Sequence, residues 1–158
     1  MLDLNLLLKN NELCLVGRER CQDDMHAAGL YVRDTRFLST FRLTLDGHAP
    51  QILDIQPAGP DSAVVSSTNP LLRQLDEGLV PHTVLVRQEL KLETSLTVTL
   101  LVRNYGTSRI SGSIAIDLGA DFRDMFDVRG MTPRKRAEPL PAEAIKDGVM
   151  LAARGSDG

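Results

Sequence analysis

The residues best equipped for chemistry fall in one acidic, aromatic segment and in one charged stretch far upstream of it. Asp117, Asp121, Asp124 and Asp127 follow one another closely, and Asp34 stands between Arg33 and Arg36, near Tyr31. Crowded carboxylates can carry acid–base hydrolysis when burial keeps one protonated beside an ionised neighbour. The same residues also describe a structural ion-pair network, because Arg33, Arg36, Arg123 and Arg129 are at hand to pair with the acids. A third use is an interface anchor, since arginine and tyrosine concentrate energy at protein contacts. The network outweighs direct catalysis on these residues alone.

Other chemistries are thinly represented. The chain has no GxSxG elbow, no GxxxxGK[ST] phosphate loop and no GxGxxG turn. His26, His48 and His82 stand apart, without HxH or HExxH spacing, so neither a metal site nor a cofactor is expected. Ser111-Gly112-Ser113 lies inside a strand pattern and reads as structural. Arg134-Lys135-Arg136 is a basic run in a chain of net charge -3, without interleaved aromatics, and reads as a solvated loop. No nucleic acid and no membrane partner is therefore expected. Cys14 and Cys21 are too few for a disulfide framework and are expected as free thiols in a reducing compartment. The N-terminal apolar run carries Asp3 and lacks a basic flank, so it does not read as a signal peptide, and the expected location is cytoplasmic.

The elements that must position these groups read almost entirely as strands. Leu4–Leu8 and Leu13–Gly17 form a hairpin around Asn10-Asn11, and 18–28 is a loop. After Arg33-Asp34, one long strand runs to Leu45, with Phe37, Ser39, Phe41, Leu43 and Leu45 on one side. Asp46-Gly47 ends it with a hairpin turn signal, and 51–56 is the return strand. Further strands are expected over 62–68, 84–92, 96–102 and 110–118, the last being the cleanest alternation. Residues 71–79 are a loop or short helix, and 104–108 is a hairpin-type turn. Glu89, Lys91 and Glu93 should face water, opposite Gln88, Leu90 and Leu92. A strand begins at Gly148 and the chain stops soon after, as though its partner strand were missing. At 158 residues with no repeat, the chain fits one domain able to bury about 70% of its unfolded surface. Short strands with turns between them indicate an all-β fold, an antiparallel β-sandwich lacking its last strands.

Four segments then carry a resemblance: GLYVRDTRFLSTFRLTLDG at 29–47, STNP at 67–70, RNYG at 103–106 and DFRDMFDVRG at 121–130. In this order and spacing they closely resemble the N-terminal domain of bacterial glycogen-debranching-type enzymes, the amylo-α-1,6-glucosidase family. The resemblance covers about residues 8–153. It implies a β-sandwich module over 1–153, a truncated end at 154–158, and a following (α/α)-barrel glycosidase domain that holds the catalytic acids. On that reading the present chain supplies no catalytic residue, no metal ligand and no cofactor site. Its implied role is to pack on the barrel, in cis, and to help shape the α-glucan site.

Tyr31, Arg33, Asp34, Arg36, Asp121, Asp124 and Arg129 are the expected binding or domain-interface positions. If Arg33 or Arg36 is the buried partner of Asp34, Asp34→Ala should cost on the order of 3 kcal/mol. The alternative is a stand-alone carbohydrate-binding sandwich that grips hydroxyls with Tyr31 and the Arg–Asp cluster. Its weakness is the scarcity of aromatics: no Trp, two Tyr and four Phe.

Overall fold

A computed structural model describes residues 6–17, 27–70, 80–131 and 137–155. In chain order its strands are β1 (Leu7–Lys9), β2 (Leu13–Val16), β3 (Gly29–Val32), β4 (Thr35–Leu38), β5 (Thr40–Leu45), β6 (Gln51–Pro57), β7 (Ser62–Thr68), β8 (Val84–Leu92), β9 (Leu96–Asn104) and β10 (Ile114–Gly119). Then come β11 (Arg123–Asp124), the helical turn α1 (Met125–Val128), β12 (Glu138–Pro139), β13 (Glu143–Ile145), β14 (Gly148–Met150) and β15 (Ala153–Arg154). The chain is all-β and its registered pairings are antiparallel, as expected for a β-sandwich. Among the described residues no helix is long and apolar enough to cross a membrane.

The chain divides into two compact units, Met1–Leu7, Glu12–Phe41 and Leu118–Gly158 in one, Leu8–Asn11 and Arg42–Asp117 in the other. The second holds the sheet β6-β7-β8-β9. Along β8 the residues alternate as their types dictate: Gln88, Leu90 and Leu92 are buried, while Glu89, Lys91 and Glu93 are exposed. Leu43 and Leu45 of β5 pack on Val84 and Val86 of β8, with Leu100 and Ile110 against the same cluster. β6 is an edge strand, and it is blunted by a register shift between Ile52 and Asp54 and by Pro57.

The first unit carries β2, β3, β4 and β11, neighbours in that order in one sheet. The β1–β2 hairpin forms as the Asn10-Asn11 signal predicts, with Leu13 and Leu15 buried.

Five expectations are corrected. The long strand to Leu45 breaks at Ser39, whose N–H and Oγ both donate to the Gly119 carbonyl, at 2.8 and 3.2 Å. The break reverses the side chains on either side of it. Arg36 is buried and Phe37 is 45% exposed, so Phe37 does not share the buried positions of Phe41, Leu43 and Leu45.

Asp46-Gly47 does make the turn, with φ of 46° and 78° and both Leu45–His48 backbone hydrogen bonds. This is the type I′ pattern. Yet β6 is not the ladder partner of β5; β6 pairs with β7 and β5 with β10. The turn at 104–108 likewise joins strands that do not pair with each other.

The cleanest alternation delivers a strand only over its second half, and there Ile114, Ile116 and Leu118 are exposed while Ile110 packs in the core. Finally, the C-terminal strands do not lack partners: β14 pairs with β13 and β15 with β12. The expectations for 18–26, 71–79 and the basic run at 134–136 lie outside the described residues, as does Cys21.

Candidate functional site

The charged stretch becomes a corner of the first unit. β3 and β4 form a hairpin whose two-residue turn is Arg33-Asp34, between the paired Val32 and Thr35, with Arg33 at φ 53°. β4 pairs in turn with β11, placing Arg36 opposite Arg123 and Thr35 opposite Asp124. That register brings Asp121, two residues ahead of Arg123, to the Arg36 guanidinium. Arg36 Nε donates to Asp121 Oδ1 at 3.0 Å and Nη2 donates to Oδ2, a two-pronged pair. A third donor, Nη1, reaches the Ala28 carbonyl at 3.2 Å. Arg36 is 5% exposed, so the charge is buried and is matched by a carboxylate and a carbonyl.

Room for the Arg36 stem comes from Gly29, where an added Cβ would stand 2.6 Å from Arg36 Cδ and 2.5 Å from the Leu38 carbonyl oxygen. Tyr31 is buried beside them and donates its hydroxyl to the Ala27 carbonyl at 2.9 Å. Burial pushes the Tyr31 phenol up, and the neighbouring Arg36 charge offsets part of that rise.

The segment Asp121–Gly130 resolves into one local device per residue type. Phe122 sits at φ 50°, a left-handed conformation that costs about 1–2 kcal/mol for an L-residue, and its ring packs edge-on against Phe37 at 5.6 Å. Arg123 clamps Asp127: Nε donates to Oδ2 at 2.8 Å, and Nη2 donates to Oδ1 at 3.1 Å and to the Asp127 carbonyl at 2.8 Å. Asp124 caps α1, accepting from the Phe126 N–H at 2.8 Å. The Met125 N–H donates to the Asp34 carbonyl at 2.8 Å, tying the turn to the helix. At the other end Gly130 has φ 78°, its N–H donates to the Asp127 carbonyl at 3.1 Å, and the Met131 N–H donates to the Phe126 carbonyl at 3.0 Å. That pair of bonds is a Schellman stop, which asks for glycine at this position.

Between these pieces lies a cleft of about 360 Å³. Its walls include Leu6, Val16 and Val128, with Tyr31, Arg33 and Arg129 as polar members. Arg33 and Arg129 are exposed, and among the described residues neither guanidinium has a hydrogen-bond or ion-pair partner.

The seven expected positions thus gather in one unit and split into two kinds. Tyr31, Arg36 and Asp121 form the frame, buried or partly buried. Arg33, Asp34, Asp124 and Arg129 are exposed around it. Asp34 is not the partner of Arg36: it sits in an exposed hairpin turn, and its contribution is its carbonyl. The acids do not act as one cluster either, since Asp117 belongs to the second unit and pairs with Arg42.

The sequence offers Arg123 as a partner for the nearby acids without singling out Asp127, and it gives no sign of the apolar wall of the cleft. The spacing of an Arg and an Asp four residues apart is the available signal for the clamp. No group of three or more potential metal ligands occurs among the described residues.

The two shorter motifs prove architectural. Asn69 is fully buried; its Oδ1 accepts from the Thr83 and Val84 N–H groups at 3.0 and 2.8 Å, and its Nδ2 donates to the Val80 carbonyl at 2.9 Å. Thr68 Oγ1 and Ser67 Oγ donate to the Val84 and Val86 carbonyls. In the other motif, Arg103 lies over the Tyr105 ring at 4.9 Å, and Asn104 bridges the Gly106 N–H and the Ser108 carbonyl. Residues 8–158 match the family described as the N-terminal domain of some glycogen debranching enzymes. No curated protein and no solved structure matches the chain.

Proposed function

Because this chain belongs to the family of N-terminal domains of glycogen debranching enzymes, we propose that it serves as a non-catalytic module, packing on a catalytic (α/α) barrel in cis and helping to shape the α-glucan site. The observation that carries this reading is the division of the corner. Both oxygens of Asp121 are taken by Arg36, both oxygens of Asp127 by Arg123, and Asp124 caps a helix. A general acid or nucleophile needs a carboxyl group free to meet substrate, and these are spent on structure. What the corner presents outward is Arg33, Asp34 and Arg129 beside an apolar cleft, the composition of a protein contact. Tyr31 is 7% exposed and offers no open ring face for stacking a sugar. Sparse cysteine usage fits a cytoplasmic enzyme.

The test compares hydrogen exchange of the 158-residue chain with exchange of the same chain within the full-length enzyme. Slower exchange over 31–36 and 121–131 in the full-length enzyme is expected. Equal exchange throughout the module would sink the packing role.

A further inference from the structure

Resting on that packing role, the structure assigns the cleft beside Tyr31 as the receptor for a carboxylate of the barrel, an Asp or Glu presented next to an aliphatic side chain. Three observations carry the assignment. The cleft is walled largely by apolar groups, including Leu6, Val16 and Val128, and its volume of about 360 Å³ is enough for a branched side chain and its neighbour. Two guanidinia, Arg33 and Arg129, stand at this one cleft. Neither has a hydrogen-bond or ion-pair partner among the described residues, in a chain of net charge -3 whose other corner arginines, Arg36 and Arg123, are each locked to an acid.

The hairpin turn that carries Arg33 is tied down at both of its residues. The Arg33 N–H donates to the Glu12 carbonyl at 3.0 Å, and the Met125 N–H donates to the Asp34 carbonyl at 2.8 Å. Arg129 is fixed at its backbone as the C-cap of α1. Two forks held on rigid backbone beside an apolar recess suit a planar carboxylate with a hydrocarbon neighbour. A sugar would leave its hydroxyls without partners against Leu6, Val16 and Val128.

Arginine footprinting tests this. Phenylglyoxal labels exposed guanidinia, and mass spectrometry reads each site in the 158-residue chain and in the full-length enzyme. The expected result is labelling of Arg33 and Arg129 slowed at least tenfold in the full-length enzyme, with Arg103 and Arg109 unchanged. In Arg33→Lys, a carbodiimide should then couple the new amine to an Asp or Glu of the barrel. Position 33 is exposed, so the variant folds, and an unchanged melting temperature verifies it. Unslowed labelling of Arg33 and Arg129 while hydrogen exchange slows elsewhere on the module overturns the cleft assignment and leaves the packing role standing. Coupling to a second copy of the chain instead of the barrel also overturns it. Unslowed labelling with no slowed exchange anywhere overturns both.

Discussion

Arg36 and Asp121 lie 85 positions apart in the chain and meet as a two-pronged ion pair. The β4–β11 ladder sets their approach, and Gly29 leaves the space through which the Arg36 stem passes. The pair holds the first unit together at its charged corner, and most of what the corner presents depends on it.

Asp121→Ala should therefore be costly. It leaves the buried Arg36 charge without its carboxylate, a loss of about 3 kcal/mol. Asp34→Ala, at an exposed turn, should stay within about 0.5 kcal/mol. Chemical denaturation of the two variants side by side checks this; equal losses would mean the corner is organised around Asp34 after all.

Gly29→Ala should damage the same corner without touching a charge. The new methyl would press on the Leu38 carbonyl and the Arg36 stem, and Gly29 has φ 153°, which L side chains rarely adopt. A loss of about 2–3 kcal/mol is expected. In the Asp121→Ala background most of that loss should vanish if it acts by breaking the ion pair, which a double-mutant cycle measures.

Asn69→Ala removes a side chain that satisfies two backbone N–H groups and one carbonyl at a fully buried position. Stranding those groups should cost about 3 kcal/mol or more. Amide exchange at Thr83 and Val84 should rise with it. Unchanged protection there would show that other groups satisfy these amides.

Tyr31 makes stability fall in alkali. Its folded-state pKa is raised, so its contribution is fully present below the ordinary tyrosine value of about 10 and is lost as pH rises through the higher folded value. Over that window the unfolding free energy should drop by up to about 1.4 kcal/mol per pH unit. Tyr31→Phe should be about 1 kcal/mol less stable at neutral pH, having lost the bond to Ala27, and should lack this part of the alkaline decline. Parallel pH profiles for the two proteins would count against it.

Gln88 is buried in β8 with its Oε1 unpartnered among the described residues. Gln88→Met fills the same space without a polar group and should raise stability by about 1 kcal/mol. A lower melting temperature would point to a partner for that oxygen.

Much of this was legible in the sequence because it is local. Alternation over 84–92 set which residues of β8 face the core, and Asp46-Gly47 made the turn its chemistry demands. The residue types of Asp121–Gly130 contain a cap at Asp124 and a stop at Gly130, because each acts on backbone within a few positions. The tertiary structure decided what depends on register between distant strands. It chose Asp121 and not Asp34 for Arg36, because β11 pairs with β4 and an exposed turn cannot neutralise a buried guanidinium. It split one run of acids between two units, giving Asp117 to Arg42. It also broke the long strand at Ser39, because the Gly119 carbonyl drew in both of that residue's donors, and so turned Phe37 outward and left Arg36 inside.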